Sequence, residues 1–330
     1  MKINVKTLSI IGMQKNAGKT TVLNHILQTN SNKRIAITSI GRDGEKLDSV
    51  FKVAKPRIFV KQGMFVLSTD DCLKNSDCRV EIFKNYNIKT PLGEIVLGRV
   101  IDDGYVDLAG PSTIKETEAI YNDIKSEIDL FIVDGAFSRK QFASSHFIEG
   151  VILVTGASYS EHMMKTVEDT HFVYKMLSLK KTKKRVKKHL KNPVTILGSI
   201  DKPLDLNTSL GSGYEIASNI DSNTKGMVIK GAFTETIAEA LIKSRHKFSS
   251  LKVYLLDGTK AFLDNDIFKK LKKINVHIEV INEMKLLYVA YNPYSPLGYE
   301  YDDKEFYNAL TERIDVPVVN VLKPYGGEDE

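Results

Sequence analysis

The sequence predicts an α/β protein, with a mostly parallel sheet in an N-terminal domain over residues 1–192 and a second α/β domain over residues 193–330. Three observations carry this expectation. Short apolar runs rich in β-branched residues alternate along the chain with segments whose apolar residues recur at helical spacing, the pattern of βα units around a buried parallel sheet. The first such run, Leu8–Ile11, passes through a glycine-bounded loop straight into a helical pattern with Leu23, Ile26 and Leu27 on one face. A later run, Asp129–Val133, is followed by Asp134-Gly135, so a carboxylate stands at the end of a buried strand.

The loop Gly12-Met13-Gln14-Lys15-Asn16-Ala17-Gly18-Lys19-Thr20-Thr21 has the order of parts of a phosphate-binding P-loop. A strand aims the loop, and backbone N–H groups of Gly12, Asn16, Ala17 and Gly18 hold phosphate oxygens together with the positive end of the new helix at Lys19, Thr20 and Thr21. Lys19 is the residue expected to reach the terminal phosphates, and the Thr20 hydroxyl suits Mg²⁺. The expected cofactors are therefore ATP and Mg²⁺; the guanine-recognition motif Asn-Lys-x-Asp is missing. Five residues separate the two glycines, where the common spacing has four, and Met13 stands where the first glycine is expected.

A chain of 330 residues with 42% hydrophobic residues is long enough to bury a substantial core. No apolar run approaches the roughly 18 residues of a membrane span, and the first strand begins without a leader-like pattern, so the expectation is a cytoplasmic protein with no membrane partner. The formal charge of +6 is local: Lys180–Lys191 holds eight Lys/Arg and no acid, and removing those eight charges turns +6 into −2. That segment is either a solvated helix end or loop, or a docking site for an acidic surface or polyanion; nucleic acid is not an expected partner. Cys72 and Cys78 are expected to be reduced thiols, and their spacing does not suit zinc.

After the first helix, Arg34–Ile40 is expected to be a second buried strand ending in Gly41-Arg42-Asp43-Gly44-Glu45. Asp43 is a candidate catalytic and metal residue at the carboxyl end of that strand; a turn aspartate between glycines is the other reading. Residues 58–67 and 94–108 alternate as short strands or hairpins, with Asp102-Asp103-Gly104 as a hairpin turn. Ser112 or Thr113 should cap a helix over Lys115–Ile124, whose N-terminus either receives an anion or is simply capped. Asp129–Gly135 then matches the Walker B pattern, in which Asp134 joins the Mg²⁺ shell beside Lys19 and Thr20.

Val151–Thr155 is a further apolar strand ending in Gly156-Ala157-Ser158, and a helix follows over Glu161–Leu179. Strands are expected at 194–197, 227–229, 253–256, 276–280, 286–290 and 316–319, with helices at 234–244, 266–273 and 304–313. These form either a second doubly wound domain from about residue 193 or a continuation of the first sheet. No internal repeat is evident. The loop Asn292–Tyr301, with two prolines and three tyrosines, either covers a flat cofactor or partner or is an ordered surface loop.

The long loop spacing resembles that of dethiobiotin synthetase and the cobyrinic acid amide synthetases. It lacks the second lysine of the signature-lysine subgroup, whose position is Gln14 here. Ser9–Asn24, Thr38–Glu45 and Val154–Ala157 together resemble the P-loop subunit of the lysine 5,6-aminomutase reactivases. That resemblance implies a slow ATPase acting with a companion similar to the mismatch-repair MutS proteins, to restore a cobalamin-dependent lysine or ornithine aminomutase whose cofactor has been damaged. The alternatives are a dethiobiotin synthetase-like ligase and a scaffold that binds nucleotide without turning it over. A metallochaperone GTPase is disfavoured by the missing guanine motif and by the absence of a His/Cys cluster.

Overall fold

The computed structural model describes residues 1–40, 57–136 and 147–323. The chain divides into two compact units, one of Met1–Thr170 with Leu286–Glu330 and one of His171–Lys285. In chain order the first unit holds β1 (Thr7–Gly12), α1 (Lys19–Thr29), β2 (Ile35–Ser39), β3 (Ile58–Val60), β4 (Phe65–Thr69), α2 (Asp70–Lys74), β5 (Val80–Thr90) and β6 (Gly93–Val100). Then come β7 (Gly104–Val106), α3 (Ile114–Ile124), β8 (Leu130–Ala136), β9 (Gly150–Gly156) and α4 (Met163–Leu177), which runs across the boundary. The second unit contains β10 (Val194–Leu197), β11 (Lys202–Pro203), α5 (Gly213–Ser218), β12 (Gly226–Ile229), β13 (Phe233–Thr234), α6 (Glu235–Lys243), β14 (Leu251–Leu255), β15 (Ala261–Phe262), α7 (Asn265–Lys273) and β16 (Val276–Val280). Finally β17 (Leu286–Asn292), α8 (Asp303–Thr311) and β18 (Val318–Asn320) re-enter the first unit.

The first unit is an α/β fold on a nine-stranded sheet of order β18-β17-β9-β1-β8-β2-β4-β6-β5. Neighbours are parallel from β18 through β4, and β6 and β5 run antiparallel at one edge. Side chains alternate across this sheet and so fill two separate cores. Leu130 and Ile132 of β8, with Ile35 and Ile37 of β2, pack on the face that also takes Val22, Leu23, Ile26 and Leu27 of α1. Phe131 and Val133, with Ala36, pack on the opposite face with Ile120 and Ile124 of α3. Period-two alternation in strands that are apolar on both sides is what a sheet covered on both faces demands.

The second unit has a five-stranded sheet of order β11-β10-β12-β14-β16, in which β12, β14 and β16 are parallel. Ile216 of α5, Ile237 and Leu241 of α6, and Phe268 and Leu271 of α7 share one core with Phe172 and Met176 from the end of α4. Val186 and partly buried Leu190 pack with Val228 and Tyr254 in a separate cluster. The basic stretch is therefore ordered: Thr182 N–H donates to Val280 O at 2.7 Å and Val280 N–H to Lys180 O at 3.0 Å, so residues 180–182 extend the β16 edge.

Several sequence expectations change. The boundary expected at residue 193 falls at His171, and residues 286–330 belong with the first unit rather than with a domain running from 193 to 330. The cause is pairing: β17 lies parallel to β9 in register Val289↔Leu153, a long-range contact that local periodicity does not encode. Asp102-Asp103-Gly104 is not a hairpin turn, because β6 pairs with β4 and β5 while β7 pairs with β3. Its carboxylates instead bind neighbouring segments, Asp102 accepting from Arg79 N–H and Nε and Asp103 from Gln62 N–H. The sequence does not signal the long edge strand β5 over residues 80–90, since most of β5 is exposed and lacks a clean apolar alternation. Asp43 lies outside the described residues.

Two glycines separate steric need from conformational need. A Cβ at Gly110 would overlap the carbonyl oxygen of Ser39 and Oγ1 of Thr38, whereas at Gly63, with φ +87°, nothing lies within 4 Å. Gly110→Ala is expected to destabilise the chain by about 2–3 kcal/mol through forced backbone displacement, and Gly63→Ala by roughly 1 kcal/mol through backbone strain alone. Denaturant unfolding of both variants checks the order; equal losses would show that the Gly110 contact yields easily.

Candidate functional site

β1 and β9 are adjacent, yet the chain leaves them in opposite directions. From β1 it passes through α1 to β2 beyond β8, and from β9 it next rejoins the sheet at β17 on the other side. In open parallel sheets such a switch point leaves a crevice outside the carboxyl ends of the strands, where ligands bind. The loop from Gly12 to Gly18 starts at that point.

Met13 does not obstruct the loop. Its N–H donates to Val154 O at 2.8 Å, continuing the β1–β9 ladder by one residue, and its side chain is buried. The turn itself uses left-handed backbone at Asn16 (φ +64°) and Gly18 (φ +103°). Asparagine tolerates that region better than most residues, and glycine adopts it freely. Gly18 is the N-cap of α1 and supplies no capping side chain, and no acid occupies the first turn. The N–H groups that open this helix, with the positive end of its dipole, are thus not answered by a local side chain.

Lys19 bends back over its own loop. A Cβ placed on Gly12 would lie 2.9 Å from Lys19 Cγ, 3.0 Å from Cδ and 3.2 Å from Nζ, so the absence of a side chain at Gly12 makes room for the lysine stem. Asp134 enters from β8, the strand between β1 and β2, in register with Ile10 and Ser39. Its main-chain oxygen accepts from Ile40 N–H at 3.1 Å, which holds the strand end. By surface area the residue is half-buried, but its Oδ1 is shut off from solvent without a hydrogen-bond partner. Burial pushes the carboxyl above its ordinary value of 3.8, while the positive charge of Lys19 and the Gly135 N–H pull the other way. Lys19 and Asp134 are therefore electrostatic neighbours at the ends of adjacent elements.

Thr20 and Thr21 sit half-buried in the first turn of α1, and Ala17 is buried under the loop. Asn292, at the end of β17, completes the wall; the sequence marks it only as the first residue of the tyrosine loop. A Cβ at Gly156 would overlap its carbonyl oxygen, and one at Gly18 would lie 3.5 Å from its Cβ and 3.8 Å from Nδ2. The only local signal was an amide at the end of an apolar run, before Pro293.

The structure describes two segments whose role the sequence left open. The N-terminus of α3 is closed by a capping box: Thr113 Oγ1 accepts from Glu116 N–H at 3.2 Å, and Glu116 Oε2 accepts from Thr113 N–H at 3.1 Å. The tyrosine loop is an ordered hairpin, with Ser295 N–H on Tyr299 O and Tyr301 N–H on Pro293 O. Tyr299 OH donates to Ala157 O, Tyr301 OH meets Thr166 Oγ1, and Tyr301 packs edge-on against Phe306, while Tyr294 and Leu297 remain exposed. Cys72 and Cys78 are free thiols.

Among the described residues no group of three or more His, Cys, Asp and Glu forms a cation site. A cation held by one carboxylate and one hydroxyl needs oxygen ligands from a bound phosphate and from water, which is the manner of Mg²⁺ rather than of a structural metal. The orphaned Asp134 Oδ1 fits that arrangement. No helix of the described chain is long and apolar enough to cross a membrane. No protein-family model matches the chain, and a search of curated proteins finds no match to it.

The Asp134 environment sets a pH dependence. A carboxyl whose native pKa is raised binds its proton more tightly when folded, so its contribution favours the native state below pH 3.8 and is lost as pH rises through the higher native value. Asp134→Asn removes this term and should melt higher than the parent at neutral pH, with the difference vanishing near pH 3. Thermal melts across pH check it; a variant less stable than the parent at pH 7 would mean that the Lys19 attraction outweighs desolvation.

Proposed function

We propose that this chain is a Mg-ATP-binding P-loop protein that serves as the accessory ATPase of a reactivating system for a cobalamin-dependent lysine or ornithine aminomutase. The observation that carries the nucleotide part is the placement of Lys19 across Gly12, at an uncapped helix N-terminus, next to the buried carboxylate of Asp134. The lysine and the N–H groups of residues 16–21 would hold the phosphates, while Thr20 and Asp134 would hold Mg²⁺, which when bound neutralises developing charge on the transferred phosphoryl group. The missing Asn-Lys-x-Asp motif supports ATP over GTP. Asp43 stays a candidate for orienting the attacking water.

The reactivase part rests on the resemblance of Ser9–Asn24, Thr38–Glu45 and Val154–Ala157. Its physical logic is differential binding: a partner that favours the cofactor-free form of a damaged enzyme promotes release of the cofactor. Nucleotide turnover then resets that partner by ordering and releasing loops around the γ-phosphate. The implied partners are a MutS-like ATPase and the aminomutase itself.

Lys19→Ala should weaken Mg-ATP binding about a hundredfold or more, since charge-assisted contacts to phosphate are lost. Asp134→Asn should keep binding within about threefold yet lower turnover about tenfold or more, because metal positioning acts mainly on the transition state. Calorimetric titration with Mg-ATP and Mg-GTP, followed by steady-state turnover, separates the two effects; equal affinity for both nucleotides counts against the assignment.

The wider proposal is tested by inactivating an aminomutase under turnover and adding this chain, the companion ATPase, ATP, Mg²⁺ and fresh adenosylcobalamin. Recovery should require ATP and fail with Lys19→Ala. Recovery that ignores both would make the chain a passive binding module, and no recovery would favour the ligase.

A further inference from the structure

The second unit contains a cavity of about 620 Å³ at the β16 edge, framed by the end of α4, α7 and residues of β14 and β16. Its floor is apolar, formed by Leu179, Phe268, Val276 and Ile278, and its rim is cationic, with Lys175, Lys180, Lys252 and Lys272. One carboxylate lines it, Glu279, and it is engaged by Lys252 at 2.5 Å. Among the described residues no carboxylate pairs with Lys175, Lys180 or Lys272. Lys272 Nζ instead lies 4.8 Å from the centroid of the Phe268 ring.

Like charges gathered without a counter-charge repel one another in the free protein, here on the exposed side chains of Lys175, Lys180 and Lys272. Burial, then the positive charges of Lys272 and Lys269, lower the pKa of the Lys175 ammonium, so it is held in a field that an anion would relieve. The edge beside the cavity is also built rather than loose, because residues 180–182 are hydrogen-bonded to β16 and place Lys180 at the rim.

We infer that this cavity is a binding site for a small organic phosphate, the phosphate meeting the ammonium groups of Lys175, Lys180 and Lys272 and the carbon framework resting on the floor of Leu179, Phe268, Val276 and Ile278. The volume falls in the range of roughly 300–1,000 Å³ typical of ligand pockets, and an apolar floor with a few convergent charges is how such pockets orient ligands. Lysine serves phosphate as a point charge, and three ammonium groups suit a dianion better than a single carboxylate. An acidic protein surface would engage the exposed lysines of residues 180–191 without needing the floor. No residue of the Gly12–Thr21 loop lines this cavity, so the phosphate site is distinct from the proposed nucleotide site.

The test uses the full chain carrying Lys19→Ala, which weakens phosphate binding at the proposed nucleotide site. Calorimetric titration with naphthyl phosphate should show saturable binding about tenfold or more tighter than inorganic phosphate, the difference reporting the apolar floor. Adding Lys175→Gln and Lys272→Gln should weaken naphthyl phosphate about tenfold or more, whereas Lys175→Arg with Lys272→Arg should retain it. Circular dichroism on each variant separates lost binding from lost fold. No binding, equal affinity for inorganic phosphate, indifference to the glutamine pair, or tighter binding of an oligoglutamate peptide would each overturn the inference, the last in favour of a protein-docking surface.

Discussion

Lys19 lies over Gly12 because that position has no side chain, and the geometry of the candidate site follows from this contact. Any Cβ there would meet the lysine stem at 2.9–3.0 Å. The lysine stem would have to shift, and with it the positive charge that opposes the desolvation of Asp134. The contact requires the loop Met13–Gly18 to bring the start of α1 back to the end of β1, the left-handed turn at Gly18, and β8 placed between β1 and β2. A short loop, a helix start and a central strand are therefore adjusted to one ammonium group.

The central strands bring distant sequence to that point. β17 follows β9 in the sheet although the whole second unit lies between them in the chain, and its last residue, Asn292, packs against Gly156 and close to Gly18. The wall of the candidate site is thus built from segments that flank the second unit in sequence. Long-range parallel pairing of this kind carries a loop-closure cost that local contacts do not. It is offset here by a strand that is buried on both faces, with Val289 and Ala290 inaccessible to solvent.

The distribution of charge follows from packing as well. Eight positive charges in residues 180–191 look like a solvated run, yet Thr182 pairs with the β16 edge, Val186 is buried and His189 lies 3.2 Å from Asp201. The segment covers a sheet edge that would otherwise expose unpaired backbone groups, and lysines on such an edge discourage pairing with another chain.

The α/β class, most strand and helix positions, the glycine loop with Lys19, and the carboxylate at the end of β8 were legible in the sequence. Each is written in local pattern: apolar runs, helical periodicity, and glycine where backbone must turn left-handed. The helix start at Ser112 or Thr113 was equally local, as was the second-unit order of β12, β14 and β16 with α6 and α7; the capping box from Thr113 to Glu116 came from the structure. The unit boundary at residue 171, the return of β17 and β18 to the first sheet, the β5–β6 edge hairpin, the role of Asn292 and the cationic cavity were decided by tertiary structure. A strand's periodicity tells which side chains face inward but not which sheet will accept it, because partner choice depends on surfaces that exist only after the rest of the chain has packed.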